Sequence, residues 1–78
     1  MQVGFNVNTV SIHIFRANTL QALHRFHRLQ HRDRKTAAII YQAFQVQALD
    51  FAQALYPGNR PVRVRIAAET FLYHAVWL

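Results

Sequence analysis

Glycine and proline are nearly absent from this chain, and their positions decide how many elements it can form. Its 78 residues include two glycines and two prolines, and three of these four residues lie in the cluster Pro57-Gly58-Asn59-Arg60-Pro61. Because glycine and proline are the strongest local signals for turns, this cluster predicts the one clear break in the chain. The preceding residues 18–56 carry a helical pattern, whereas apolar residues alternate with polar ones in both flanking segments.

The alternation in the flanking segments predicts two β-hairpins. Residues 3–14 alternate around a two-residue turn at Asn8-Thr9, and residues 62–75 alternate around a turn at Ala68-Glu69. Residues that pair across a ladder share a face, so each hairpin would present one apolar face to a core.

The central segment predicts helices with recognisable ends. Asn18 or Thr19 can cap a first helix, and Asp33 can cap a second helix that runs to Tyr56. One continuous helix over this segment would be about 57 Å long and would overhang its own sheet. We therefore favour a break near Arg32, although the sequence alone leaves open whether the two helices are separate or continuous.

These elements together predict an α+β fold in a single domain, residues 1–78. Two β-hairpins flank an α-helical pair in the order ββ-αα-ββ, and the helices cover one face of an antiparallel sheet. Hydrophobic residues make up 53% of the chain, which is too apolar for a disordered tail. A chain this short has a thin core, so we expect part of its stability to come from a partner.

Composition excludes several classes of function. Without cysteine, the chain has no disulfides, thiolate chemistry or cysteine-ligated zinc. The longest apolar run in the helical part, residues 37–41, is far short of the roughly 20 residues that a membrane-spanning helix needs, and we expect a cytoplasmic protein. Only three acidic residues are present, and none suggests a carboxylate pair, so we expect neither an enzyme nor a cofactor.

Basic residues dominate the charge, with nine Lys and Arg against three Asp and Glu, a net charge of +6. On a helical wheel Arg25, Arg28, Arg32 and Lys35 fall within one quadrant, and Arg34 lies in the predicted turn beside them. Such a stripe is typical of phosphate contacts, where each cation displaces a condensed counterion, or of contacts with another anionic partner such as an acidic protein. A solvated face that keeps the protein soluble is the alternative. The outward face of the predicted sheet adds two further cations, Arg63 and Arg65.

Three histidines, His24, His27 and His31, lie next to this stripe at helical spacing. Histidines so placed can ligate zinc or copper through neutral imidazole. The surrounding cations would repel a divalent metal, so these residues are weak metal candidates. We expect them to lie at the boundary between core and solvent, or to contact nucleic acid.

The far side of the second predicted helix is unusually apolar for a solvated surface. It carries glutamines interleaved with Ile39, Ala43, Val46 and Leu49. Glutamine and small aliphatic residues suit a second buried contact. This face predicts an interface in a homo-oligomer or with another protein partner, unless the first helix covers it.

Two segments carry a resemblance to a known class of proteins. Residues 35–41 (KTAAIIY) and 54–66 (ALYPGNRPVRVRI) resemble the layout of small accessory proteins of phages and mobile elements, including some anti-CRISPR proteins. In those proteins an alanine-rich helix runs through a Pro-Gly stop into a short basic strand. The resemblance implies a non-catalytic, single-domain protein that works by occupying the surface of a host macromolecule.

The sequence therefore predicts a non-enzymatic basic binding protein that holds nucleic acid or a nucleoprotein through its arginine-rich helical face. The alternative is a phage or mobile-element inhibitor or adaptor that binds a protein through the second helix or a strand edge.

Overall fold

The computed structural model describes residues 8–77, and over this range the chain forms four α-helices. They are α1 (Thr9–Asn18), α2 (Leu20–Leu29), α3 (Arg34–Leu55) and α4 (Pro61–Trp77). This part of the chain is 84% helical and contains no strand. The predicted α+β fold with two β-hairpins is therefore wrong, and the chain has a small all-α fold.

The segment predicted as the second hairpin is the single helix α4. Its buried residues recur every three or four positions, which is the spacing of one helix face: Val64, Ala67, Ala68, Phe71, Leu72, Ala75 and Val76. The predicted turn at Ala68-Glu69 has no residue suited to positive φ, and alanine favours helix. Pro61 is the first residue of α4, a position where proline is well tolerated because that N–H has no helical partner.

The segment predicted as the first hairpin lies partly outside the described residues, which begin at Asn8. The remainder forms α1, so the turn predicted at Asn8-Thr9 is wrong. Asn8 is instead the N-cap of α1, and its side-chain oxygen accepts a hydrogen bond of 2.7 Å from the backbone N–H of Val10. Phe15, on α1, is buried in the core.

The break between the two predicted helices is confirmed, and it lies at residues 30–33 between α2 and α3. Asp33 caps α3 as predicted: one carboxylate oxygen accepts from the backbone N–H of Thr36 at 3.2 Å, and the other accepts from its hydroxyl at 2.6 Å. The boundary at Thr19 is also confirmed, although its hydroxyl donates backwards to the Phe15 carbonyl at 2.9 Å and does not cap α2.

Three phenylalanines join α1, α3 and α4 at one end of the core. The rings of Phe15, Phe51 and Phe71 pack with centroids 5.6, 5.7 and 5.1 Å apart. Phe71 is fully buried, and aromatic pairs at such distances contribute beyond the area they bury. This cluster holds the short helix α1 against α4.

A second aromatic cluster joins α2 to α3 and α4. Phe26 lies 5.6 Å from Tyr41 and 6.4 Å from Phe44, both on α3, and 6.3 Å from Trp77 at the end of α4, measured between ring centroids. The C-terminal end of α4 is therefore close to the N-terminal half of α3, and these two helices run antiparallel. The α2–α3 turn and the 56–60 loop consequently lie at opposite ends of α3, about 30 Å apart.

Candidate nucleic-acid interface

Five exposed basic residues lie between positions 25 and 35, at the end of the molecule where α2 meets α3. We call this group the basic patch. Arg25 and Arg28 lie on α2, Arg32 lies in the turn, and Arg34 and Lys35 begin α3. All five side chains are exposed. These are the residues that the sequence predicts on one basic stripe and in the turn beside it.

No carboxylate among residues 8–77 forms an ion pair with the basic patch. Asp33 lies within the patch, but its two oxygens are occupied by Thr36. The hydrogen bond from the Thr36 hydroxyl, and then that from its backbone N–H, lower the pKa of Asp33 because both stabilise the ionised carboxylate. The patch therefore combines five positive charges with one fixed negative charge.

Two cations of the basic patch, Arg34 and Lys35, do not stabilise the helix that carries them. A helix N-terminus carries a partial positive charge, so Arg34 and Lys35 in the first turn of α3 are unfavourably placed. That turn contains no acidic residue beyond its cap, Asp33. Arg28, by contrast, lies in the last turn of α2, where a cation is favourable. Two positive charges are thus held at a helix end that would be more stable without them.

Arg63 and Arg65 do not join the basic patch. Both lie near the start of α4, and the antiparallel packing of α3 and α4 places them at the opposite end of the molecule. The outward sheet face predicted to present them does not exist. Arg65 instead lines an open cleft of about 710 Å³ between α3 and α4, together with Leu49 and Val62.

The three histidines have different surroundings. His24 and His31 are exposed, whereas His27 is half-buried and donates a hydrogen bond of 2.9 Å from Nε2 to the carbonyl oxygen of Val76. Its ring also packs edge-on against Trp77 with centroids 6.1 Å apart. Within residues 8–77, no three side chains of His, Cys, Asp or Glu come together in a way that could hold a metal ion. His27 links α2 to the end of α4, which is a boundary role.

The outer face of α3, formed by Ile39, Ala43, Val46 and Leu49, is open to solvent. Ile39 is 65% exposed, Val46 is 60% exposed and Leu49 is 38% exposed. The core side of α3, which includes Ala37 and is buried, lies on the opposite side of the helix. The alternative in which the first predicted helix covers this face is therefore wrong.

Sequence reasoning missed one exposed apolar stripe. Val62, Ile66, Tyr73 and Trp77 follow one another along the solvent side of α4, and each is at least 42% exposed. Their spacing of four, seven and four residues is typical of one face of a helix and can be seen in the sequence. The strand assignment hid it, because alternation turned Val62, Ile66 and Tyr73 inward. A strand edge for partner binding is also absent from the described residues.

Comparisons with known proteins leave the function to be argued from these residues. No protein-family model, curated protein or solved structure matches the chain. The resemblance to phage accessory proteins stays a prediction, and its short basic strand corresponds to the first turns of α4. None of the helices in residues 8–77 is long and apolar enough to cross a membrane.

Proposed function

We propose that this protein is a non-enzymatic binding protein that holds nucleic acid, alone or within a nucleoprotein, through the basic patch. The observation that carries the proposal is the group of five exposed cations at the junction of α2 and α3, which has no ion-pair partner among residues 8–77. A surface that concentrates one sign of charge attracts polyanions over a longer range than any single contact.

The chemistry of the patch suits phosphate better than a lone carboxylate. Four of its five members are arginines, whose planar guanidinium binds phosphate oxygens through two parallel hydrogen bonds. Arg25 and Arg28 are three residues apart on α2, so their side chains are neighbours on the helix surface and can contact neighbouring groups of one polyanion.

Simple solvation is a weaker explanation for the patch. Solubility is served by charges of both signs spread over a surface. Here the cations are gathered, they repel one another, and two of them oppose the dipole of α3. A bound polyanion would offset both the repulsion among the cations and their unfavourable interaction with the dipole of α3.

A salt titration tests the proposal directly. The affinity for a fluorescein-labelled 24-mer, as duplex DNA and as single-stranded RNA, is measured by fluorescence anisotropy from 50 to 200 mM salt. With five phosphate contacts, the plot of log affinity against log salt for the duplex should have a slope of about −4.5, since each contact contributes about −0.9. An affinity that does not change with salt would contradict the proposal.

Two variants of equal charge locate the binding surface. The double variant R25A/R28A removes two cations from the basic patch, and R60A/R65A removes two cations from the opposite end of the molecule. We expect R25A/R28A to reduce the steepness of the slope by about two units and R60A/R65A to leave it near that of the wild type. Equal losses in both variants would mean that only net charge matters, and no localised interface would then exist.

A second candidate function is a protein inhibitor or adaptor that acts through α3. The observation that favours it is the exposure of Ile39 and Val46 on the outer face of α3. Exposed apolar residues on one helix face are a common basis for recognition by a partner. This function predicts that Val46→Arg disrupts capture of the partner while Arg28→Ala has little effect.

A further inference from the structure

The outer face of α3 extends to the exposed residues Lys35 and Asp50, and with them it has a self-complementary pattern of charge and apolar side chains. Lys35 and Asp50 lie at equal distances on either side of the midpoint between Gln42 and Ala43, and Ile39 and Val46 do the same. All these residues are exposed, and their spacing keeps them on one side of the helix. Asp50 is the only acidic residue in α3.

This pattern fits a two-fold axis through that midpoint. If α3 of a second copy packs antiparallel across the axis, Lys35 of each copy faces Asp50 of the other, and Ile39 faces Val46. Gln42 and Ala43 lie nearest the axis, where the small side chain of Ala43 in each copy leaves room for Gln42 of the other. An isologous contact of this kind uses the same patch on both copies, so each favourable pair occurs twice.

We infer that the outer face of α3 binds a second copy of this chain, antiparallel and in this register. The charge pattern favours a copy of the same chain as the partner. Lys35 and Asp50 of one copy face Asp50 and Lys35 of the other only when the two helices are antiparallel. A parallel partner of the same sequence would place Lys35 against Lys35 and Asp50 against Asp50. Like charges directly opposed would disfavour that arrangement.

The size of the contact sets the expected affinity. Lys35 and Asp50 are about 22 Å apart along the helix axis. A contact limited to this length of one helix belongs to the smaller class of interfaces, which bury under about 1,200 Å² and dissociate readily. We therefore expect a reversible dimer with a dissociation constant in the micromolar range.

The inference is independent of nucleic-acid binding, although Lys35 belongs to both surfaces. The association is therefore measured by sedimentation equilibrium without nucleic acid, in 150 mM salt. At that ionic strength the Debye length is about 8 Å, so the repulsion between two chains of charge +6 is largely screened. The contact between Lys35 and Asp50 is closer than this length and persists.

A charge exchange tests the register. The single variants Lys35→Glu and Asp50→Lys each place like charges opposite one another twice per dimer, and we expect each to raise the dissociation constant at least tenfold. The double variant K35E/D50K restores opposite charges and should return the constant to within about threefold of the wild type. Both positions are exposed, and circular dichroism verifies that each variant remains helical.

Cysteine pairing provides a second, independent readout because the chain contains no cysteine. When Ile39→Cys and Val46→Cys proteins are mixed and oxidised, the predicted register yields mainly the mixed disulfide dimer. The inference is overturned if the wild type stays monomeric up to 1 mM, if the double exchange fails to restore association, or if the two cysteine variants pair only with themselves. A complex with an unrelated protein on this face, formed in place of the dimer, would also overturn it.

Discussion

The basic patch and the outer face of α3 meet at Lys35, yet they are built in opposite ways. The patch gathers five cations around a single acid, whereas the outer face is apolar and contains one base and one acid that balance each other. Attraction to the patch acts at long range and is weakened by salt, while contact with the apolar face acts at short range and is largely insensitive to salt. The two proposed kinds of binding should therefore respond differently to salt and to substitution.

The largest expected effect is the loss of self-association in Val46→Arg, and Arg28→Ala is the corresponding substitution in the basic patch. Val46→Arg places a guanidinium in the middle of the apolar contact, where it cannot be solvated, and should weaken self-association at least 100-fold. Its affinity for nucleic acid should not fall. Arg28→Ala should leave self-association unchanged and reduce the steepness of the salt dependence of nucleic-acid binding by about one unit. Sedimentation equilibrium and fluorescence anisotropy measure the two properties separately.

Gln45→Arg is the matched control for Val46→Arg. It adds the same charge to the neighbouring position of α3, but on another side of the helix, and should preserve self-association. The comparison between the two surfaces fails if Val46→Arg abolishes nucleic-acid binding while Arg28→Ala leaves it unchanged. If Val46→Arg instead disrupts assembly or capture of a protein partner and Arg28→Ala has little effect, the protein inhibitor or adaptor is favoured.

Local chemistry explains which parts of the fold were predictable from the sequence. Asp33 and the Pro57-Gly58 stop bound α3 correctly because capping and helix termination depend on a few neighbouring residues. The basic patch was predictable for the same reason, since its members are close together in sequence. For these features no long-range packing had to be known.

Packing explains what the sequence could not decide. Val62, Val64 and Ile66 alternate as in a strand, yet the burial of Val64, Ala67 and Ala68 follows a helix. The segment fits both the two-residue period of a strand and the 3.6-residue period of a helix, and only the packing of α4 against α1 and α3 selects the helix. Arg63 and Arg65 were assigned to the binding surface by the same error, because their position depends on how α4 packs against α3.

A smaller effect is expected where α2 is fastened to α4, beside the basic patch. His27→Ala removes the hydrogen bond to the Val76 carbonyl and the ring contact with Trp77, and should lower the free energy of unfolding by about 1 kcal/mol. Urea unfolding measures this loss, and the single tryptophan reports the change around Trp77 by its fluorescence. His24→Ala removes an exposed histidine from the same helix and should change stability by less than about 0.5 kcal/mol. Equal losses in both variants would mean that the contact with α4 does not hold α2 in place.

The smallest expected effect concerns the one acid within the basic patch. Asparagine is as good an N-cap as aspartate, so Asp33→Asn should keep the start of α3 while removing the negative charge. Nucleic-acid affinity should then rise about two- to threefold, as for other exposed charge interactions. Asp50→Asn removes the same charge from α3 outside the patch, and it should weaken self-association while leaving nucleic-acid affinity unchanged. A rise in nucleic-acid affinity of equal size in both variants would show that the patch has no local field of its own.

The difference in stability between the wild type and Asp33→Asn should depend on pH, and its sign follows from the hydrogen bonds that Thr36 donates to Asp33. These bonds hold the pKa of Asp33 below its ordinary value, so the folded chain binds fewer protons at this site than the unfolded chain. The stability that the ionised cap contributes is complete above the pKa of the unfolded state and is lost as the pH falls through the lowered pKa of the folded state. The amide introduced by Asp33→Asn cannot titrate, so urea unfolding should show the wild type losing stability relative to this variant on acidification. A difference between the two proteins that is constant from pH 7 to pH 2 would show that folding leaves the pKa of Asp33 unchanged, so that the hydrogen bonds of Thr36 do not favour the ionised carboxylate.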